Sequence, residues 1–284
     1  MTWFTETLYA DPAHGGYAQT FRVSRELVHR RTAFQDLVIF ETPYFGRVLA
    51  LDGAIQTTER DEFVYHEMMT HVPLFAHGAA RRVLVVGGGD GGILREVLRH
   101  PVDGVTLVEI DGAVIELCRR YLPSLSAGAF DDPRARVIVD DGIKFVAETD
   151  ETFDVIIVDS TDPAGPGEVL FTEAFYGDCK KRLTPGGLIV TQNGVPHFQP
   201  AELAAGRRRL AAHFADVACY LAAVPTYAGG FMAMGWASDN TALRGLTAAD
   251  LEPRFARAGF ATRYYSPAVH ASAFALPPFI EALL

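Results

Sequence analysis

The sequence predicts an α/β fold, a doubly wound and mostly parallel sheet preceded by a small N-terminal β-domain. Three observations point there. From Arg81 onward, short runs rich in Val and Ile alternate with helical segments; a glycine-rich turn follows the first of those runs; and the first 76 residues have a β-rich texture with hairpin turns instead. Runs apolar on both faces are what a parallel sheet covered by helices requires. Strand–helix alternation builds the βαβ units of a doubly wound sheet. The chain of 284 residues is long enough for two domains, placed at 1–76, a β-rich domain with its linking helix, and 77–284, the α/β domain.

In the N-terminal part, Phe34 to Phe40 reads as a strand, Thr42 to Gly46 as a turn and Arg47 to Leu51 as the second strand. Asp52-Gly53 marks a tight hairpin, because glycine tolerates positive φ, and Ala54 to Thr58 returns antiparallel. A helix is expected from Asp61 to Thr70, acidic in its first turn, with Pro73 ending or kinking it. Strands at Val83 to Val86, Val105 to Val108, Val137 to Val139, Val155 to Val158 and Leu188 to Thr191 then alternate with helices. The helices fall near Ile93 to His100, Ala113 to Tyr121, Ile143 to Glu148 and Glu173 to Leu183. Pro185-Gly186-Gly187 separates the last helix from its strand, and Arg207-Arg208-Arg209 reads as a solvated helix face. The tail, Thr247 to Leu284, is expected to form helix, short strand and helix, closing the sheet.

Lys and Arg number 25 against 35 Asp and Glu, a net charge of −10. A nucleic acid or an anionic membrane would need a basic face, so neither is expected as a partner. The balance suits a cationic small molecule, although an acidic excess also serves solubility. The three cysteines, Cys118, Cys179 and Cys219, are odd in number and far apart, with no metal-ligand spacing, and read as reduced, buried thiols. No metal is expected. The start of the chain lacks a basic, signal-like region and no apolar run is long enough to span a bilayer, so the chain reads as cytoplasmic.

Gly87, Gly89 and Gly92 satisfy G-x-G-x-x-G between a strand and a helix, the context that makes the motif credible. Glu109 ends the next strand, about 20 residues on, where an acidic side chain can accept ribose hydroxyls. Dinucleotide enzymes seat a pyrophosphate at this helix N-terminus, but Asp90 puts a carboxylate there. It either caps the helix or faces a positive group, and the second reading implies an adenosyl ligand without phosphates, such as a sulfonium nucleoside. Asp141-Gly142, opening a later helix, is placed for an adenine edge, with a plain turn as the alternative. The strand through Val158 delivers Asp159-Ser160-Thr161-Asp162-Pro163 to the edge where open sheets bind ligands. Two carboxylates in one turn repel each other unless a cation is bound, though both also suit N-capping. Ala164 to Leu170 follows as a loop able to close over the site.

Taken in order, Phe34-Gln35-Asp36, Leu51 to Gln56, Asp61 to Glu67, Gly87 to Gly92, Asp141-Gly142, Asp159 to Pro163 and Pro225-Thr226-Tyr227 resemble the spermidine synthases, the putrescine aminopropyltransferases. The likeness runs from about Trp3 to Leu284, and His66 with Tyr227 to Gly230 is similar to the bacterial branch. Phe34 departs from the Tyr that many members have there. The resemblance implies a Rossmann-like catalytic domain behind a small β-domain, in homodimers or homotetramers. It implies that Gln35, Gly87, Gly89, Asp90, Glu109, Asp141, Gly142 and Pro166 hold the nucleoside, with Asp90 on the aminopropyl amine. Asp159 is then the proton acceptor, working with Asp162. Gln56, Tyr65, His66, Asp90, Asp159, Ser160, Thr161, Asp162, Gln192 and Tyr227 line the amine channel. The co-substrate implied is decarboxylated S-adenosylmethionine, with no tightly bound cofactor. Two alternatives stay open on sequence alone, a putrescine N-methyltransferase using S-adenosylmethionine and a non-catalytic polyamine-binding sensor. Which amine is preferred among putrescine, cadaverine, agmatine and spermidine is not legible in motif spacing.

Overall fold

The computed structural model describes residues 2–10, 16–160 and 172–284. Strands β1 (Thr2–Thr5) and β2 (Thr20–Val23) pair antiparallel as a two-stranded ribbon. Then β3 (Arg25–Arg31), β4 (Asp36–Thr42), β5 (Gly46–Leu51) and β6 (Ala54–Thr58) form an antiparallel meander in chain order. The β5–β6 turn puts Asp52 and Gly53 at φ +48° and +81°, the pair of positive values that a two-residue hairpin uses. The inner face of the meander (Leu37, Ile39, Leu49, Leu51) packs on Val114, Leu117 and Leu125 of the larger sheet's flanking helices.

The larger unit begins with α1 (Glu62–His77), β7 (Arg82–Gly87), α2 (Gly92–Leu98), β8 (Gly104–Glu109), α3 (Gly112–Tyr121), α4 (Pro123–Ser126), β9 (Ala135–Val139) and α5 (Gly142–Glu148). It continues with β10 (Phe153–Asp159), α6 (Glu173–Lys181), β11 (Leu183–Gln192), α7 (Pro200–Ala211), β12 (Asp216–Ala222) and β13 (Met232–Ser238). The helices α8 (Ala248–Ala258), α9 (Pro267–Ala273) and α10 (Pro278–Glu281) complete it. The seven strands lie in the order β12-β13-β11-β10-β7-β8-β9. From β9 to β11 all neighbours are parallel, and β13 and β12 add an antiparallel hairpin. Val83 and Val85 of β7 point into the core under α1, Leu84 and Val86 into the core on the opposite face, so the strand is apolar throughout. The chain steps outward from β7 to β8 and β9, then returns to β10 on β7's other side. The crevice between the carboxyl ends of β7 and β10 is the topological switch point, where open α/β sheets bind ligands.

Three local expectations are corrected. Pro73 does not end the first helix; α1 runs four residues further and stops at Gly78, which takes φ +74° and returns its N–H to the Leu74 carbonyl. Fourteen of its sixteen residues are buried, and that packing offsets the single bond lost at proline. Pro185-Gly186-Gly187 is not a break before a strand but an irregularity inside β11, where the pairing with β10 jumps from Phe153↔Leu183 to Val155↔Leu188. The tail has no strand. Its backbone N–H groups at Arg263, Tyr264 and Tyr265 all donate to the buried Glu67 carboxylate at 2.8 Å, so they are satisfied without a neighbouring strand. The sheet is closed by β12 and β13 instead. The three cysteines are buried and free. No helix among the described residues is long and apolar enough to cross a membrane.

Glu67 is thus the tie between α1 and the C-terminal segment. Glu67→Ala leaves three N–H groups, that of Tyr265 buried, without their acceptor, and bonds to a charged group contribute about 1.5–3 kcal/mol each before relaxation. A loss of at least ~2 kcal/mol in unfolding free energy, read from urea midpoints at unchanged slope, is the expected result.

Candidate active site

A cavity of about 340 Å³ opens at the switch point. Among the residues singled out in the sequence, Gln35, Gln56, Tyr65, His66, Gly87, Gly89, Asp90, Glu109, Asp141, Gly142, Asp159, Ser160, Gln192 and Tyr227 line it together. Thr161, Asp162 and Pro166, and the loop expected to close over the site, lie outside the described residues.

One half is built by the ends of β7, β8 and β9. Gly87 takes φ +84°, and a Cβ there would lie 2.0 Å from the Asp159 carbonyl oxygen, so only glycine lets β7 and β10 end side by side. Glu109 is fixed by two backbone donors, Gly89 N–H to Oε2 at 3.1 Å and Asp111 N–H to Oε1 at 2.9 Å. Each oxygen keeps a lone pair for a further donor. Burial pushes Glu109 up to about 7 against those two donors, and the nearby charges of Asp111 and Asp159 add to the rise. Gln35 arrives from the loop before β4; its amide donates to Asp111 Oδ2 at 3.1 Å, while Asp111 Oδ1 caps α3 at the Ala113 N–H. Asp141 Oδ1 accepts the Ile143 N–H at 2.8 Å, so the capping role expected of a plain turn is present and the side chain lines the cavity as well.

The other half is built around α1. Tyr65 and His66 sit in its second turn, and the Tyr65 hydroxyl donates to Asp159 Oδ1 at 2.6 Å. The Tyr65 and Tyr227 rings meet edge to face at 5.8 Å, and the Tyr227 hydroxyl donates to the Gln56 carbonyl at 2.6 Å. Gln56 turns its own amide toward the Ala54 carbonyl. Gln192 ends β11 and is buried, as is the Ser160 hydroxyl.

Between the halves lies a chain of buried charges. His66 Nε2 is 3.2 Å from Asp90 Oδ2, its Nδ1 is 2.6 Å from Glu62 Oε2, and Arg95 reaches the same Glu62 oxygen at 2.8 Å. Burial alone would strip the ring of its charge; the carboxylates of Asp90 and Glu62 outweigh it and push His66 up to about 10, so it is an imidazolium at neutral pH. Asp90 is likewise held below the usual carboxylate range: burial opposes this, but the His66 charge and the Gly92 N–H, 2.8 Å from Oδ1, prevail. Asp90 therefore takes up the Gly92 N–H at the start of α2 with one oxygen, as the capping reading asked, while its other oxygen meets His66 and the side chain lines the cavity. Gly92 has a role the motif did not announce. A Cβ there would lie 2.2 Å from the His66 ring, so the space freed by the third glycine is filled by His66 rather than by a ligand. Asp159 is pushed up to about 6 by burial and then by the Asp90 charge, while the Tyr65 hydroxyl and His66 pull it down.

Sequence reasoning missed Glu62 and Arg95, which stand behind His66, and the segment Glu6, Leu8 and Tyr9, which lines the cavity from the N-terminal ribbon. Glu62 and His66 are four residues apart on one helix, a spacing that signals contact; nothing local marks Glu6. Among the described residues the lining has five carboxylates (Glu6, Asp90, Glu109, Asp141, Asp159) and one basic side chain, His66. Among the described residues no group of three or more His, Cys, Asp and Glu side chains has a metal-holding arrangement.

The family described as the spermine/spermidine synthase domain matches residues 62–245, and the one described as the spermidine synthase tetramerisation domain matches residues 2–59. The polyamine aminopropyltransferase of Salmonella arizonae is 54% identical over 279 residues, 98% of either chain, and that of Salmonella agona is 55% identical over the same span. A crystal structure of a spermidine synthase in complex with the transition state analogue AdoDATO superposes with a TM-score of 0.93 at 38% identity, covering 100% of this chain and 94% of that one. Spermidine synthase from Thermotoga maritima gives 0.91 at 37% identity with the same coverage. The glycine turn with its acidic insert, the paired tyrosines and the histidine clamp thus occur in a chain that belongs to the spermine/spermidine synthase family.

Proposed function

We propose that the chain is an aminopropyltransferase that joins the aminopropyl group of decarboxylated S-adenosylmethionine to putrescine, giving spermidine and methylthioadenosine. The observation that carries this reading is the charge of the cavity. Among the described residues five carboxylates against one imidazolium leave it negative, and Asp90 stands where a nucleoside's tail would leave the glycine turn. A cationic tail and a cationic diamine both relieve that excess, whereas the α-carboxylate of ordinary S-adenosylmethionine would add to it. Neither the N-methyltransferase nor the sensor alternative finds support among the relatives, which are named as aminopropyltransferases or spermidine synthases.

In this reading Glu109 accepts the ribose hydroxyls, with Asp141, Gly142 and the outlying Pro166 around the adenine and Gln35 against the adenosyl group. The Asp90 carboxylate receives the aminopropyl ammonium and so aligns the carbon beside the sulfonium with the amine. The amine nitrogen attacks that carbon, the C–S bond breaks, and its electron pair leaves with the sulfur as a neutral thioether. No acid is needed for the leaving group. The attacking nitrogen gives its proton to Asp159, with Asp162 beside it in the turn. An alkyl ammonium has a pKa near 10.4, so an ordinary carboxylate is a poor acceptor. Raising Asp159 from 3.8 to about 6 narrows that gap by about 3 kcal/mol, and burial of the ammonium narrows it further. Tyr65 fixes the carboxylate and, with Tyr227, walls the methylene chain. Orientation in the closed cavity supplies the remaining acceleration. The family's tetramerisation region supports a homo-oligomeric assembly, and the acidic surface supports a small-molecule rather than a nucleic-acid partner.

Two outcomes test this reading. A unit-charge pair at 4 Å contributes about 4 kcal/mol at an effective dielectric of 20, and Asp90 shares its charge with His66. Asp90→Asn should therefore weaken the decarboxylated donor at least ~10-fold, while calorimetric affinity for methylthioadenosine changes less than ~3-fold. Equal losses for both ligands would remove Asp90 from tail recognition. As the proton acceptor, Asp159 must be ionised, so kcat/KM is lost as pH falls through about 6. Removing a neighbouring negative charge lowers that midpoint and removing a donor to the carboxylate raises it. The acidic limb should thus move to lower pH in Asp90→Asn and to higher pH in Tyr65→Phe; shifts of the same sign in both variants would contradict the assignment.

A further inference from the structure

The buried charges do not end at Glu62. Arg95 turns each edge of its guanidinium to a different partner. Its Nη2 donates to Glu62 Oε2 at 2.8 Å, its Nε to Glu96 Oε1 at 2.8 Å, and its Nη1 to the Leu125 carbonyl of α4 at 2.5 Å. Glu96 is 3% exposed, and its Oε2 accepts Arg99 Nη1 at 2.6 Å. Arg99 in turn lies over the Phe260 ring at 4.2 Å and donates to the Ala261 carbonyl. Asp90, His66, Glu62, Arg95, Glu96 and Arg99 thus alternate in sign from the cavity wall to the C-terminal segment, and their charges cancel. We infer that Arg95 is a positioning residue for the donor. Without touching the donor, it holds Glu62, and through Glu62 the whole clamp, ionised, so that Asp90 meets the donor's ammonium as a carboxylate throughout the neutral range.

Burial opposes the charge of Glu62, and the His66 ring and Arg95 outweigh it, so the carboxyl lies below its usual range. Take Arg95 away, and Asp90, His66 and Glu62 are left with one uncompensated negative charge out of water. A buried site in that state takes up a proton. The two carboxylates share His66, so the proton belongs to the three groups jointly. Wherever it settles, it cancels a negative charge beside the donor's tail. Around the clamp, α1 also supplies Tyr65, α3 the Cys118 thiol, β8 Glu109 and β10 Asp159, while α4 faces Arg95 with the carbonyls of Ser124 and Leu125. Burial keeps the Tyr65 phenol and the Cys118 thiol protonated, and it draws His71, 3.0 Å from Glu96, below its usual range. Glu109 at about 7 and Asp159 at about 6 titrate near neutrality with or without Arg95, so comparison with wild type cancels them. The bonds from Arg95 to α4 are a separate, structural job. The charge on Arg95 is what sets the charge of the clamp.

The inference rests on the aminopropyl-transfer reading of Asp90, and the experiment separates the two. Full-length wild type, Arg95→Met and Arg95→Lys are titrated calorimetrically with methylthioadenosine and with decarboxylated S-adenosylmethionine from about pH 8 down to about pH 6. Both nucleosides meet Glu109 in the same way, so the ratio of their affinities reports the tail. A cationic tail expels the extra proton from the clamp, which makes its binding weaker as pH falls. One linked proton changes an affinity by at most ~10-fold per pH unit, and in Arg95→Met the preference for the decarboxylated donor should fall at least ~5-fold more than in wild type across that range. Arg95→Lys loses the forked geometry and keeps the charge, so its pH dependence should stay within ~2-fold of wild type. A pH dependence in Arg95→Met equal to that of wild type overturns the proposal. So does an Arg95→Lys profile as steep as that of Arg95→Met, which would mark the loss as structural. If Arg95→Met fails to fold, Arg95→Gln, which keeps a donor for Glu62 and no charge, is read by the same criteria. Wild type that prefers neither nucleoside at the upper pH would defeat the reading of Asp90 itself, whatever the variants do.

Discussion

The site is organised by one buried imidazolium. His66 lies between Glu62, one turn back on α1, and Asp90, on the loop after β7, with Arg95 of α2 closing the far side of Glu62. Removing any one partner would strand a charge in a poorly solvated place, so the three elements are locked in register with one another. The glycine at position 92 exists for the ring it accommodates, and the burial of α1 from Glu62 to Ala76 holds that ring still. What the lock presents to the cavity is the carboxylate of Asp90, aimed by its partners rather than left to swing.

The cavity gathers negative charge out of water. Burial and mutual repulsion lift Asp159 to about 6 and Glu109 to about 7, both far from where a solvated carboxylate sits. A bound cation would relieve that repulsion, so in the proposed reaction affinity for positive ligands and the raised basicity of Asp159 have the same origin. In the proposed reaction, crowding acids at the switch point would serve binding and proton transfer together, with the His66 imidazolium offsetting part of the repulsion.

Much of this was legible in the chain because it depends on local chemistry. Strands apolar on both faces, the Asp52-Gly53 hairpin and the glycine turn each have a short-range cause, and each appears where it was expected. The misses share a different cause. Pro73 sits inside a helix because surrounding burial outweighs its local penalty. The segment at Arg263 to Tyr265 is not a strand because a carboxylate nearly two hundred residues away takes its N–H groups. Glu6 reaches the cavity, and Arg95 reaches Glu62 behind it, through tertiary packing of a ribbon and a helix, which no motif spacing encodes. The acidic residue in the glycine turn was readable as a departure from the phosphate-binding pattern, but its histidine partner and the reason for the third glycine required the fold.

The most direct test is a calorimetric titration of the unmodified protein with three nucleosides that differ only in the tail: methylthioadenosine, decarboxylated S-adenosylmethionine and S-adenosylmethionine. The tail that ends in an ammonium should bind tightest, and the tail that also carries a carboxylate should bind at least ~10-fold more weakly than it. If S-adenosylmethionine bound as tightly as its decarboxylated form, the clamp around Asp90 would not be reading charge, and the function built on it would fail.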